Sequence, residues 1–355
     1  MGKELKFYRV NTIPSTDLEA GAIYFEVSTK KIKVATSSTT VEDYGVTWRK
    51  LGKPNNEIWY KTSDKQPVTL STLDWGTNEI ISNEYDAEKD CCVITFKDKL
   101  TEIPDASDTS SSLFGTSSKI QEVVFLPSTI KRIGNNCFSF YNNNIKYIDL
   151  SNCKQLEEIG NNFYTNYNSE TTIIDFTNCH KLKTMGNDCL TGSEWTYWAL
   201  KGLEDLDSLE TIGDNFFNSA VSVNGSKTLD LSMLTSLKSL GNYFFGFNCN
   251  ITKVILPSSL EYWGDGPFYI SSWGSRADVE YVESPVLPKS IGTYGVQKVK
   301  YWVLNKDGIV DNIPESFFKY SLNFYVPEKY LEGYRKQYPT HTDKILTIEN
   351  DLPKE

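Results

Sequence analysis

The stretch Ile145-Lys146-Tyr147-Ile148-Asp149-Leu150-Ser151-Asn152-Cys153-Lys154-Gln155-Leu156-Glu157-Glu158-Ile159-Gly160 decides the fold. Its apolar residues fall at 145, 148, 150, 153, 156 and 159, which reads as a short strand with one apolar face, closed by a glycine. Ser226 to Gly241 repeats it through Leu229, Leu231, Leu234, Leu237 and Leu240. Working outward, an apolar residue followed by glycine recurs at Gly134, Gly160, Gly186, Gly213, Gly241 and Gly264, spaced 26, 26, 27, 28 and 23 residues apart. Four residues before each glycine stands an aliphatic: Ile130, Leu156, Leu182, Leu209, Leu237 and Leu260. Four residues after stands a large apolar residue: Phe138, Tyr164, Leu190, Phe217, Phe245 and Phe268. Ile291-Gly292 is a weaker seventh copy.

A strand with one apolar face cannot bury that face alone. Stacking units about 4.8 Å apart pairs the strands and joins their cores. The expected fold is an α/β-type repeat, mostly β: a leucine-rich-repeat solenoid of about 7 to 8 coils with a short C-terminal capping helix. The glycine is expected to permit a turn forbidden to side chains. In Leu126-Pro127-Ser128 and Leu256-Pro257-Ser258 the proline should mark the strand's end, because it cannot donate to a ladder. The seven cysteines follow the repeat: Cys153 and Cys179 each close a Ser/Thr-Asn-Cys triplet, and Cys137 and Cys189 stand where sister units carry phenylalanine. They read as small core residues, all free thiols.

The Leu-Pro-Ser-Ser/Thr-Ile/Leu-x-x-Ile/Trp-Gly-Asn/Asp-x-x-Phe pattern resembles the BspA-like leucine-rich repeats, over roughly residues 56 to 350. Asn56 to Asp64 resembles that family's lead-in, and Val93 to Asp98 a first, degenerate repeat. Phe324 to Tyr334 resembles its closing strand, proline and helix, the helix covering the last strand edge. The implied division is a solenoid cap over 53–92, repeats over 93–322 and a C-terminal cap over 323–355. Ile120 to Leu126 carries one extra residue, so its inward face is ambiguous by one position. Trp195 to Leu203 fits the strand template badly, and 270–322 is weakly periodic.

Residues 1–52 stand outside the repeat. Ala22 to Val27 and Ile32 to Thr36, joined by Ser28-Thr29-Lys30-Lys31, read as a β-hairpin, preceded by an extended segment over Phe7 to Thr16. An isolated hairpin is marginal in water. Phe7, Tyr8, Ile13, Ile23, Tyr24 and Phe25 are therefore expected to anchor the segment on something larger, or else to cap the first coil. The string Ile13-Pro14-Ser15-Thr16 … Gly21-Ala22-Ile23-Tyr24-Phe25 … Thr29-Lys30-Lys31-Ile32 resembles N-terminal segments of tail and fibre proteins in Bacteroides-infecting, including crAss-like, phages.

Composition narrows the function. The chain has 355 residues, 39% of them hydrophobic, and a net charge of −10. An acidic chain without a basic run is a poor partner for nucleic acid. No apolar run of about 18 residues occurs, so no membrane insertion is expected. The start leads into no hydrophobic segment, so no secretory signal is expected. With two histidines, His180 and His341, and no Gly-rich phosphate loop, Cys-x-x-Cys or His-Glu-x-x-His, no cofactor, metal site or catalytic residue is expected.

Two recognition surfaces suggest themselves. On the strands, Tyr147, Asp149, Ile173, Asp175, Thr228, Asp230, Lys253 and Ile255 should project from the outer face, with Asp149, Asp175 and Asp230 forming an acidic column interrupted at the fourth unit. That column reads either as a ligand or cation face or as a solvated face that discourages aggregation. In the loops, Tyr167, Trp195, Tyr197, Trp198, Tyr269 and Trp273 either stack on sugars or pack back onto the coil. Together with both resemblances, this implies a virion structural protein of a phage tail, made in the host bacterial cytoplasm. Its N-terminal segment would anchor it, and its solenoid would bind neighbouring tail proteins or a host glycan or protein; homo-oligomerisation is open. The alternatives are a bacterial BspA-like surface adhesin and a glycan-degrading tail enzyme.

Overall fold

A computed structural model describes residues 54–353 except 109–110, 140–143, 167–170, 193–195, 218–221, 246–248, 267–278, 289, 292–298, 310–312, 314 and 319–321; before residue 54 it describes four strands. The chain divides into two units, Met1–Pro54 and Asn55–Glu355.

In the first unit the expected hairpin is present: Ile23–Glu26 pairs antiparallel with Lys31–Ala35. It sits inside a larger sheet. Phe7–Val10 adds in parallel beside Ile23–Glu26, and Val41–Thr47 adds antiparallel beside Lys31–Ala35. Four strands replace the two-stranded ribbon that sequence suggested, which removes the marginality argument in its simplest form. Among the anchor residues, Phe7, Tyr8, Ile23, Tyr24 and Phe25 lie in these strands, and Ile13 lies outside the described residues.

The second unit is a mostly-β solenoid of about seven turns. Each regular coil contributes one strand to a long-strand sheet and a two-residue strand to a short-strand sheet. The short strands run unbroken in parallel: Glu102–Ile103, Arg132–Ile133, Glu158–Ile159, Thr184–Met185, Thr211–Ile212, Ser239–Leu240, Tyr262–Trp263 and Ser290–Ile291. The long strands fall into two sheets. One holds Tyr147–Asp149, Thr171–Asp175, Tyr197–Lys201 and Ser222–Val223; the other begins at Thr228–Asp230 and continues through Lys253–Ile255, Tyr281–Ser284, Tyr301–Leu304 and Asn323–Val326. Between the sheets the core is mostly apolar, with a few buried hydroxyls such as Ser139 and Thr165 bonded to each other. Leu156, Leu182, Leu209, Leu237 and Leu260 are buried, as are Phe138, Tyr164, Leu190, Phe217 and Phe245. Phe268 lies outside the described residues.

All seven cysteines are buried free thiols. Three donate to a carbonyl of the preceding coil: Cys137 to Pro104, Cys179 to Leu150 and Cys189 to Gly160, at 3.2 to 3.4 Å. This suits a residue small enough for a crowded core yet able to satisfy one polar atom.

The repeat glycines act differently from expectation. None of Gly134, Gly160, Gly186, Gly213, Gly241 and Gly264 has positive φ. Each is instead pressed against the preceding coil: a Cβ on Gly241 would lie 2.3 Å from the Gly213 carbonyl carbon and 2.4 Å from the Asp214 nitrogen. The left-handed residue comes two positions later, at Asn136, Asn162, Asp188, Asn215, Tyr243 and Gly266, with φ between 50° and 58°. Asn and Asp tolerate that region better than other side chains.

The close approach makes room for a polar ladder. The backbone N–H of the residue after each glycine donates to the Oδ1 of its counterpart one coil back. Asn135 donates to Asp105, Asn161 to Asn135, Asn187 to Asn161, Asp214 to Asn187, Asn242 to Asp214 and Asp265 to Asn242, all at 2.6 to 2.8 Å.

Three expectations about register resolve. Trp195 to Leu203 looked a poor strand, yet Tyr197–Lys201 pairs with Thr171–Asp175 over five residues. The extra residue in Ile120–Phe125 is absorbed by register shifts against Glu57–Thr62, leaving Ile148 beside Val123. Val93 to Asp98 does not stack as a parallel coil: Cys91–Phe96 pairs antiparallel with Glu57–Thr62, which itself lies antiparallel to Ile120–Phe125.

At the C-terminal end, helix Leu331–Gln337 follows Asn323–Val326, but a further strand, Ile345–Thr347, pairs in parallel with it. That strand, rather than Asn323–Val326, is the outermost. The edge is closed locally: Asp351 Oδ2 accepts from the N–H and hydroxyl of Thr347, both at 2.8 Å.

Candidate functional site

Alternation along each long strand turns one side chain in and the next out. Ile148, Ile174, Leu229 and Val254 are buried. Tyr147, Asp149, Ile173, Asp175, Thr228, Asp230, Lys253 and Ile255 are half-buried on the opposite face. Pairing sets Tyr147 beside Ile173, Asp149 beside Asp175, Thr228 beside Lys253 and Asp230 beside Ile255.

The acidic column is interrupted at the fourth unit, where the sequence placed its break. Asp149 and Asp175 are neighbours, but the next position is Lys201, and Asp230 belongs to the second long sheet. Each aspartate also has a local task at the strand's exit. Asp149 Oδ1 accepts from the Ser151 N–H at 2.9 Å, Asp175 Oδ1 from the Thr177 N–H at 3.1 Å and Asp230 Oδ1 from the Ser232 N–H at 2.9 Å. A carboxylate two residues ahead of the amide it caps is an Asx-turn. In these three coils the Asp serves the turn.

The rest of the face is internally compensated. Tyr147 donates its hydroxyl to Asp175 at 3.3 Å, and Lys201 Nζ lies 5.7 Å from the Tyr147 ring centre. Burial pushes the Tyr147 phenol up to about 12, with Asp149 and Asp175 adding to the shift. On the second sheet Lys253 Nζ stands 4.3 Å over the Tyr281 ring and 3.7 Å from Glu283. Tyr281, Tyr301 and Tyr325 then form a column, ring centres 6.3 and 5.8 Å apart. Sequence reading passed over Tyr281 and Tyr301 because the weak periodicity of 270–322 hid their strands. Two strands stacked in register with Lys253–Ile255 recover them.

The loop candidates divide. Trp198 is not on a loop: it lies in Tyr197–Lys201, points inward and is buried, edge-to-face with Tyr164 at 5.9 Å. The strand's alternation explains it, since Tyr197 and Trp198 must face opposite ways. Tyr197 is exposed on that strand. Tyr167, Trp195, Tyr269 and Trp273 lie outside the described residues.

One feature had no counterpart in the sequence reading. Where the two long sheets meet, Val223-Asn224-Gly225-Ser226 makes a tight turn in place of strand pairing. Asn224 occupies the junction: its N–H donates to Trp198 O and its Oδ1 accepts from the Leu200 N–H, both at 2.7 Å. The side chain satisfies the amide that a neighbouring strand would have taken. The Asn-Gly pair was the available signal.

Among the described residues no three of His, Cys, Asp and Glu gather as a metal-binding group, and no helix is long and apolar enough to cross a membrane. His180 is surface-exposed beside Asp207 at 3.4 Å. The face presents hydroxyls, aromatic rings and charges of both signs.

The family model described as "BspA type Leucine rich repeat region (6 copies)" matches residues 78–224 and 197–324, more than half the chain. No curated protein matches. Among solved structures the chain is similar to one titled "The Crystal structure of Pneumococcal vaccine antigen PcpA", at 16% identity and a TM-score of 0.23, over 95% of this chain and 100% of that one. The extent of the family match, on a solenoid whose glycines, post-glycine aromatics and strands repeat in register, makes this chain a member of the BspA-type leucine-rich repeat family.

Proposed function

We propose that the chain is a non-enzymatic attachment protein of a phage tail, in which residues 1–54 fix it to the particle and the solenoid binds a host surface or a neighbouring tail protein. The observation that carries this reading is the division at Pro54–Asn55 into a small four-stranded unit and a separate repeat unit with its own continuous core. A self-sufficient solenoid leaves the first unit available for attachment, and coils that stabilise one another let the outward residues vary. The likeness of Ile13 to Ile32 to phage tail and fibre segments supports the virion assignment. The long-sheet face supports binding by polar or aromatic contacts, because it carries the Tyr281–Tyr301 column and its aspartates are engaged at their own turns.

A second reading, a bacterial surface adhesin, is favoured by the family match itself. One experiment separates the two. A version lacking residues 1–54 should melt cooperatively and be missing from purified particles, while the full chain is incorporated. Normal incorporation of the shortened chain, or absence of the full chain from particles together with its display on the bacterial surface, would reject the tail assignment.

A further inference from the structure

The two ends of the long-strand array are finished differently. The C-terminal edge is three residues long and closed by Asp351. At the opposite end the outermost strand is Ile80–Asp86, seven residues, paired among the described residues on one side only, to Cys91–Phe96. It carries neither lysine nor proline, the residues that usually guard such an edge; one register shift, between Ile80 and Ser82, is its only irregularity. Ile81, inside that shift, is 60% exposed, the most exposed large hydrophobic among the described residues. Beside the strand opens a groove of about 660 Å³ lined by Leu70, Leu73, Trp75, Ile80 and Asn83 among others.

We propose that Ile80–Asp86 pairs antiparallel with the same strand of a second copy, giving a two-fold dimer whose long-strand sheet runs across the interface. The strand's own sequence selects this occupant and its register. Centred on Asn83, antiparallel self-pairing sets Ile81 opposite Tyr85, Ser82 opposite Glu84 and Ile80 opposite Asp86, so no like charges face each other. Centred on Glu84, it would set that carboxylate against its twin, which is unfavourable. Centred on Ser82, it would use little of the strand. The favoured register covers the exposed Ile81 with an aromatic ring at both ends of the ladder, as an isologous interface requires. It also leaves Asn83 free to keep its inward bonds, accepting from Tyr60 and donating to Val68 O.

The test uses the full chain. Size-exclusion chromatography with light scattering at micromolar concentration should give a dimer. Ile81→Lys should weaken dimerisation at least tenfold while the chain keeps a cooperative melt, its melting temperature losing its dependence on protein concentration. In a Ser82→Cys/Glu84→Cys double variant, mild oxidation should cross-link two chains, because each new thiol faces the other in its partner. Neither single variant should do so. A monomer at about 100 μM, a dimer indifferent to Ile81→Lys, or cross-linking by Glu84→Cys alone would overturn the proposal.

Discussion

The short-strand and long-strand sheets are built from the same coils, yet one runs without a gap from Glu102–Ile103 to Ser290–Ile291 while the other stops at Ser222–Val223 and restarts at Thr228–Asp230. Strand length does not explain this, since the unbroken sheet has the shorter strands. The difference lies in what each coil is obliged to keep. Behind each of the six short strands from Arg132–Ile133 to Tyr262–Trp263 stands a glycine with no room for a side chain, followed by an Asn or Asp that joins the coils. On the long side the coils need only an inward apolar alternation and a capped exit, and a tight turn held by Asn224 meets that need as well as a strand does. Continuity therefore follows close backbone approach rather than strand propensity.

The sharpest way to break the continuous side is Gly241→Ala. The new methyl would meet backbone atoms of the preceding coil at 2.3 and 2.4 Å, and backbone cannot step aside as a side chain end can. A loss of about 3 kcal/mol is expected in denaturant unfolding, the upper part of the range for overpacking. Retained stability would mean the coils are looser than described.

Alkali should act next. Burial holds the thiols of Cys179 and Cys189 up at about 12, and that of Cys91 at about 11. Stability is then complete below the ordinary thiol value, near 8.5, and falls as pH rises toward the folded values, because only the unfolded chain ionises freely. Each such thiol contributes about 1.4 kcal/mol per pH unit in that window. Melting followed from pH 8 to 10.5 should show a steady fall. A cysteine-to-alanine variant at Cys189 should flatten it, whatever its starting stability.

Smaller effects distinguish the ladder from the junction. Asn161→Ala removes the acceptor for the Asn187 N–H at an exposed rung and should cost about 1 kcal/mol, while Asn161→Asp, which keeps an acceptor, should cost little. Asn224→Ala should cost about as much or slightly more, losing the acceptor for Leu200 and placing alanine at φ 53°. Equal losses for Asn161→Ala and Asn161→Asp would show that the rung does not depend on its acceptor. The smallest effect is a gain: Tyr243 holds φ 51°, where its sisters are Asn, Asp or Gly, so Tyr243→Asn should stabilise by up to about 1 kcal/mol. Thermal melting would register either sign.

The coil itself was legible. Leu156, Leu237 and Phe217 are buried where their spacing put them, because a period fixed by stacking leaves its mark on every unit. The reason for the glycines was not. Sequence shows that a side chain is absent, but a tight turn and a tight approach look alike until the neighbouring coil is in place. The aspartates left two readings open for a related reason: Asp149, Asp175 and Asp230 each cap their own turn, and recurrence alone does not distinguish a local bond from a shared surface. Trp198 was misplaced because Gly202 stands where the sister strands run on into Leu150 and Phe176, and Asn224 was passed over because nothing near it repeats.

Each rung of the Asn/Asp ladder joins residues 23 to 30 positions apart and involves no atom outside the two coils it connects. A tandem duplication of one coil carries its own glycine, amide and acceptor. The new junction is therefore bonded as the old ones were, and excision of a coil heals in the same way. The ends need not change when the number of coils does. The reach of such a protein is set by copy number, and lineages could lengthen or shorten it in whole steps without inventing new contacts.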